Sequence, residues 1–364
     1  MATARKGWPS WPELGRRRRA ARMSTSAARP PSGMHPSRIM ELATGYWSSM
    51  VLLTLNELGI CSHLTGRPAT CQQLAGSLDL DRRALGFLLD ASVQLGLLQL
   101  EGEQYANSPE AETFLVAGRP SFLGGGLSYN LDVYPVWGKL PQAIRCGEEQ
   151  LAPESYLGGD VERTRRFVHG MHHRALAMAR GIAEGIDLTG RKHLLDLGGG
   201  SGAFSILLCR KTPGLQSTLL DLPGVVDVAG EIVGAEGMAD RIRLLPGDYH
   251  RDDLGSGYDA ALLNGILHRE SPAFCQALIE RLWPAMEPGG TVIIADVMLD
   301  DSGHGPLFPT LFGLNMLLTA PGGGAHSTLA HARWLEQAGF AEICTVALPQ
   351  PALHTLVFAR RAER

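Results

Sequence analysis

One segment, LLDLGGGSGAFSILL (Leu194–Leu208), constrains this chain more than any other. An apolar strand runs into a glycine-rich turn and continues as an amphipathic helix. Glycines there let the backbone turn sharply and approach a ligand with no Cβ in the way, and the helix start offers free N–H groups. The flanking sequence supplies a sheet for it. Apolar runs HLLDLG, STLLDL, RIRLLPG, AALLNGIL and TVIIADVML alternate with the helical stretches FSILLCRKTP, VVDVAGEIVGAEG, SPAFCQALIERLWPAM and STLAHARWLEQAGF. That alternation predicts an α/β fold, a parallel sheet with helices on both faces. The final piece, EICTVALPQPALHTLVFARR, reads as two strands joined around Pro349 and Pro351, so the expected Rossmann-like sheet is mixed and ends in an antiparallel hairpin.

Before this domain, from Arg38 to about Glu149, the pattern is helical with short breaks. SRIMELATGYWSSMVLLTLNELGI spaces its apolar residues three and four apart and reaches a helix stop at Gly59. Two shorter helices follow, with Thr70 and Asp81 at the cap positions, and then a hairpin around Glu101 and Gly102. Three helices and a hairpin make a winged-helix order. The recognition helix of such a unit would run from Asp81 to Gln94 and carries only Arg82 and Arg83 as cations, too few for strong phosphate contacts. The unit therefore reads as a dimerisation module. A long amphipathic helix over residues 161–187 leads onward. The expected organisation is a basic tail (1–33), a winged-helix-like domain (34–150) and a ligand-binding domain (151–364).

Of the 364 residues 45% are apolar and the net charge is −4, enough for two cores and with no basic field to draw in nucleic acid or a membrane. No apolar run reaches the ~18 residues of a membrane span. Six cysteines are scattered without a CxxC pair, which argues against a zinc knuckle or a disulfide framework and for a cytoplasmic protein. The tail, rich in Arg, Ala, Ser and Pro, has no core-forming pattern.

A glycine loop alone also suits the pyrophosphate of a dinucleotide, so its neighbours decide. Asp196, just before the glycines, suits an ammonium group, and Asp221, closing the next strand, suits both hydroxyls of a ribose. GDYH places Asp248 and Tyr249 after a third strand, where they suit an adenine amino group and ring face. Together they point to S-adenosylmethionine.

From Arg38 to Arg361 the sequence resembles the plant caffeate and animal acetylserotonin type of O-methyltransferase and its bacterial natural-product relatives. The resemblance rests on WGKLPQAIRCGEE, LLDLGGGSG, LLDLPGVV, GDYH, NGILHRESPAFC, MEPGGTVIIADVMLDD, LFGLNMLLT and WLEQAGF, in family order. It implies a homodimer acting on a small-molecule acceptor, with a helical N-terminal part that completes the partner's acceptor pocket. Carried across, Asp196, Gly198, Gly200, Asp221, Asp248 and Tyr249 would contact the cofactor; Phe167, Met171, Asn315 and Met316 would line the acceptor pocket. His268 would be the general base and Asp296 the carboxylate that orients it. A near-neutral imidazole suits removal of a phenolic proton ahead of in-line methyl transfer.

Departures from the family pattern open two alternatives. The usual acid after the histidine is Arg269, the next aromatic is Glu270, the second orienting acid is His326, and Asn264 replaces a residue that usually approaches the cofactor. His268, Asp296 and His326 facing one pocket would make a facial set for a divalent metal, as in a metal-assisted C-methyltransferase acting on a 2-oxo acid. His354 would join them if the last hairpin folds over the pocket. The other alternative, a winged-helix regulator sensing a ligand, predicts salt-dependent DNA binding and no turnover.

Overall fold

Helix α1 (Ser37–Glu57) stops two residues before Gly59, and α2 (Ile60–Leu64) follows it. The computed structural model describes residues 35–119, 121–151, 161–349 and 352–363; the tail 1–33 and Pro351 lie outside these. The described part before Trp47 is the start of α1, and the remainder, 47–364, is one compact unit. After a short strand β1 (Ala69–Thr70), helix α3 (Cys71–Leu78) begins with a capping box: Thr70 Oγ1 accepts from the Gln73 N–H and Gln73 Oε1 from the Thr70 N–H. Helix α4 (Arg82–Gln94) is capped by Asp81, whose carboxylate accepts from the Ala84 N–H at 2.7 Å. Strands β2 (Leu98–Glu101) and β3 (Gln104–Asn107) form the hairpin, and β1 joins it in the order β1-β3-β2. Leu55, Ile60, Leu64, Leu85, Leu89 and Leu98 fill the core beneath, each worth roughly 1.5–3 kcal/mol when fully buried. On α4, Arg83 lies over the Phe87 ring at 5.2 Å.

Three short helices continue the chain: α5 (Pro109–Phe114), α6 (Gly124–Trp137) and α7 (Leu140–Cys146). Helix α6 packs on the long connecting helix α8 (Val161–Glu184). The two backbones meet at glycines. A Cβ on Gly125 would lie 2.7 Å from the Gly170 Cα, so neither position has room for a side chain without moving a helix.

The sheet domain follows the alternation read from the sequence. Its elements are β4 (His193–Leu197), α9 (Ala203–Lys211), β5 (Gln216–Asp221), α10 (Pro223–Ala235), β6 (Ile242–Pro246), β7 (Tyr258–Asn264), α11 (Pro272–Ala285) and β8 (Met286–Asp296). Then come α12 (Leu307–Thr319), α13 (Thr328–Gln337), β9 (Phe340–Ala347) and β10 (Thr355–Arg361). Strand order is β6-β5-β4-β7-β8-β10-β9, parallel from β6 to β8 and antiparallel for the last two. Successive strand residues point to opposite faces. Leu194, Ala260, Leu262 and Ile293 pack beneath α8, α9 and α10. Their neighbours Leu195, Ala261, Leu263 and Ile294 pack beneath α11 and α13. All six cysteines are unbridged. Among the described residues, no helix is long and apolar enough to cross a membrane.

Candidate active site

Two cavities open at the carboxyl ends of the parallel strands, the side on which open α/β sheets bind ligands. The first, about 410 Å³, lies over the glycine turn and is lined by Gly198, Gly199, Gly200, Asp221, Asp248 and Tyr249 among others. The turn is built to leave that space open. Gly198 sits at φ +65°, and a Cβ there would lie 2.5 Å from Ile266 Cγ2. Asp221 ends β5 with its carboxylate accepting from the N–H groups of Gly200 and Leu222, at 2.8 and 2.7 Å. Burial pushes its carboxyl up to about 6, against the pull of those two N–H groups and of Arg269. Asp248 accepts from the His250 N–H at 2.9 Å. Tyr249 donates its hydroxyl to Glu270 Oε1 at 2.7 Å, and burial beside that carboxylate raises the phenol.

Asp196 departs from its expected role. By strand parity it shares the face of Leu194 and points at α9, where it accepts from Ser205 Oγ at 2.5 Å. It is 1% exposed and does not line the cavity. A Cβ on Gly199 would meet its carboxyl at 2.9 Å, so the carboxyl lies directly against the turn. Burial pushes it, too, up to about 6. Asp196 therefore supports the glycine turn from behind instead of facing an ammonium group across the cavity.

The second cavity, about 430 Å³, is lined largely by aromatic and apolar side chains: Tyr129, Trp137, Ile182, Phe308, Leu311, Phe312 and Met316. Asn315, on α12, borders it and accepts from the Trp137 indole N–H at 3.0 Å. Phe167 and Met171 lie on α8, but their side chains are outside the described residues. Phe204, Asn264 and Arg269 line both cavities and form the wall between them. Asn264 Oδ1 is buried in that wall with no hydrogen-bond partner.

His268 lines the second cavity. The apolar run AALLNGIL, which ends just before it, is strand only as far as Asn264. The chain leaves the strand at Gly265, and His268 sits in a 3-10 turn (Leu267–Arg269), its ring edge-on to Phe312 with 4.8 Å between ring centres. Its Nδ1 lies 2.6 Å from Asp296 Oδ1, at the end of β8. Asp296 also accepts from the Val297 N–H at 2.7 Å and, more weakly, from the His268 N–H at 3.3 Å. Burial alone would raise Asp296, but the facing imidazole outweighs it and holds the carboxyl below its ordinary value. An ionised carboxylate can only accept, so Nδ1 carries a proton, which in the neutral ring leaves the lone pair on Nε2.

His326 does not join this pair. Its Nε2 lies 3.2 and 3.0 Å from the carbonyl oxygens of Leu267 and Glu270, so it donates to the turn that carries His268. It lines a separate surface groove with Arg333 and Trp334 and is absent from the second cavity. Burial lowers its pKa. The facial set of His268, Asp296 and His326 is thus undone by geometry: among the described residues, no three His, Cys, Asp or Glu side chains are placed to hold a metal ion. His354 does reach the second cavity.

Several contributors are invisible in the local sequence. Tyr129, Trp137 and Phe312 reach the second cavity from distant helices, and His331 is buried behind Asp296, with its pKa lowered to about 4 by burial. Its Nδ1 lies 2.8 Å from the Ser327 carbonyl, the only visible hint being the cap position of Ser327 before α13. Arg269 and Glu270 were visible as departures from a family pattern, but not their directions.

The comparisons agree with this architecture. Residues 137–341 match the O-methyltransferase domain family and residues 40–117 the O-methyltransferase dimerisation domain. The chain is 32% identical over 337 residues to 3-hydroxy-5-methyl-1-naphthoate 3-O-methyltransferase of Streptomyces sahachiroi, covering 92% of this chain and 97% of that protein. It is 33% identical over 331 residues to the tetracenomycin polyketide synthesis 8-O-methyl transferase TcmO of Streptomyces glaucescens, covering 90% and 97%. Human N-acetylserotonin methyltransferase, solved in complex with SAM, matches it with a TM-score of 0.82 at 25% identity, over 91% of this chain and 99% of that one.

Proposed function

This chain belongs to the S-adenosylmethionine-dependent O-methyltransferase family, and on that premise we propose that it methylates a hydroxyl of a small aromatic acceptor with His268 as general base. One observation carries the reading: the His268–Asp296 pair borders an aromatic cavity that shares a wall with the cavity over the glycine turn.

The first cavity suits the cofactor by its donor set. Asp221 presents a carboxylate for vicinal hydroxyls, the glycine turn brings backbone close to the ligand, and Asp248 and Tyr249 lie where a base would end. Asn264 offers its unpartnered Oδ1 at the wall. Bound there, S-adenosylmethionine would supply the transferable methyl carbon on its sulfonium. The protein's own work is at the acceptor. Its aromatic walls hold a flat ring and exclude water, while His268 Nε2 takes the hydroxyl proton so that the oxygen attacks as an anion. Asp296 fixes the tautomer and supports the imidazolium that results. Asn315 and Met316 border the acceptor cavity.

The relatives named for a hydroxynaphthoate and for a tetracenomycin polyketide act on small aromatic natural products, and an acceptor of that class suits this cavity. The protein works as a cytoplasmic homodimer, with residues 34–150 as its dimerisation domain and 151–364 as its catalytic domain. The test is where the methyl group lands. Incubation with ¹³C-methyl-labelled donor and a panel of phenols, naphthols and 2-oxo acids is expected to give products with a methoxy carbon resonance. Label on carbon of a 2-oxo acid, or on nitrogen, would reject the proposal.

A further inference from the structure

The acceptor cavity is charged in one direction only. Among its described lining residues there is no Asp, Glu or Lys, and Arg269 is the one permanent charge. Arg269 is half-buried there, and a cation against an apolar wall is favoured by an anionic partner. The Arg269 guanidinium makes no hydrogen bond or ion pair with any described residue. Its field reaches Asp221 and Tyr249, which line the first cavity.

Its position sharpens the point. Along the 3-10 turn, His268 faces only the second cavity, Glu270 only the first, and Arg269 both. Arg269 therefore stands in the wall that the two cavities share. A bound sulfonium brings another positive charge to the same neighbourhood, and two cations sharing an apolar wall repel strongly. On the acceptor side the nearest described carboxylate, Asp296, is bonded to His268 and does not line the cavity. The acceptor itself is the remaining source.

We propose that Arg269 is a specificity-determining residue that pairs with a carboxylate on the acceptor, so that the preferred substrate is an aromatic hydroxy acid and not a neutral phenol. This rests on the reading of the second cavity as the acceptor site. A planar guanidinium suits a carboxylate because it donates two parallel hydrogen bonds and stays charged at any working pH. Pairing at that wall also fixes the ring relative to His268, so the anion contributes orientation as well as affinity.

The experiment compares hydroxynaphthoic acids with their methyl esters, reading binding by calorimetry in the presence of S-adenosylhomocysteine and turnover with the methyl donor. The wild-type protein is expected to favour the acid over its ester by roughly 10- to 100-fold, the scale of a charge-assisted hydrogen bond. In Arg269→Gln the preference should fall towards unity, and in Arg269→Lys it should lie between. Equal binding of acid and ester by the wild type would overturn the inference. So would an Arg269→Gln protein that keeps the acid preference but loses affinity for S-adenosylhomocysteine, which would place the guanidinium on the cofactor. Tight, Arg269-dependent binding of the acid without methylation of any acceptor would support the pairing while refuting the proposed reaction.

Discussion

His268→Ala is expected to lower kcat with a phenolic acceptor by about 10²- to 10⁴-fold, the usual contribution of a positioned general base. That corresponds to about 3–5 kcal/mol of barrier at 1.36 kcal/mol per tenfold. Affinity for S-adenosylhomocysteine should be nearly unchanged, since the imidazole borders the second cavity and not the first. Steady-state kinetics and calorimetry together check this, and undiminished turnover would remove His268 from the reaction. Asp296→Asn is the subtler companion. The amide oxygen can still accept from Nδ1, so the tautomer survives, but a neutral acceptor supports the imidazolium less well than a carboxylate. A loss of roughly tenfold follows from exchanging a charge-assisted hydrogen bond for a neutral one.

The second large effect is on the cofactor cavity. Gly198→Val would put a β-branched residue at φ +65°, where an L-residue costs about 1–2 kcal/mol. It would also drive a Cβ to within 2.5 Å of Ile266 Cγ2, an overpacking cost of about 1–3 kcal/mol. Moving either side deforms the site, because Gly198 lines the cavity and Ile266 leads into the turn that carries His268. The expected result is a fall in S-adenosylhomocysteine affinity of roughly 30-fold or more, at about 1.4 kcal/mol per tenfold. Circular dichroism should show the fold retained. Binding at wild-type strength would mean that the glycine turn is not the cofactor's seat.

What the sequence made legible was local. Thr70 and Asp81 announce their helices because a cap is a matter of three or four residues. The central strands β4, β7 and β8 are readable because their apolar runs are buried between helix layers. Parity along β4 was also available: Asp196 is two residues from Leu194, and that spacing turns it towards α9 and away from the cavity. His326 was not readable in the same way. Its position in sequence matches a family acid, yet its direction is set by carbonyls of Leu267 and Glu270, more than fifty residues earlier. The lining of the acceptor cavity has the same character, since Tyr129, Trp137 and Phe312 meet only after distant helices pack. Arg269 sits between these cases. Its identity stood out in sequence, but its place in the shared wall emerges only when both cavities are seen.

Methyl transfer by the proposed route requires one protonation state of one imidazole. In protein labelled with ¹⁵N-histidine and bound to S-adenosylhomocysteine, the ring nitrogens of His268 can be read by NMR at a pH where the ring is neutral. The geometry predicts a proton on Nδ1, shared with Asp296 at 2.6 Å, and a bare Nε2. A proton on Nε2, with Nδ1 bare, would leave no lone pair for the acceptor's hydroxyl and would contradict the mechanism.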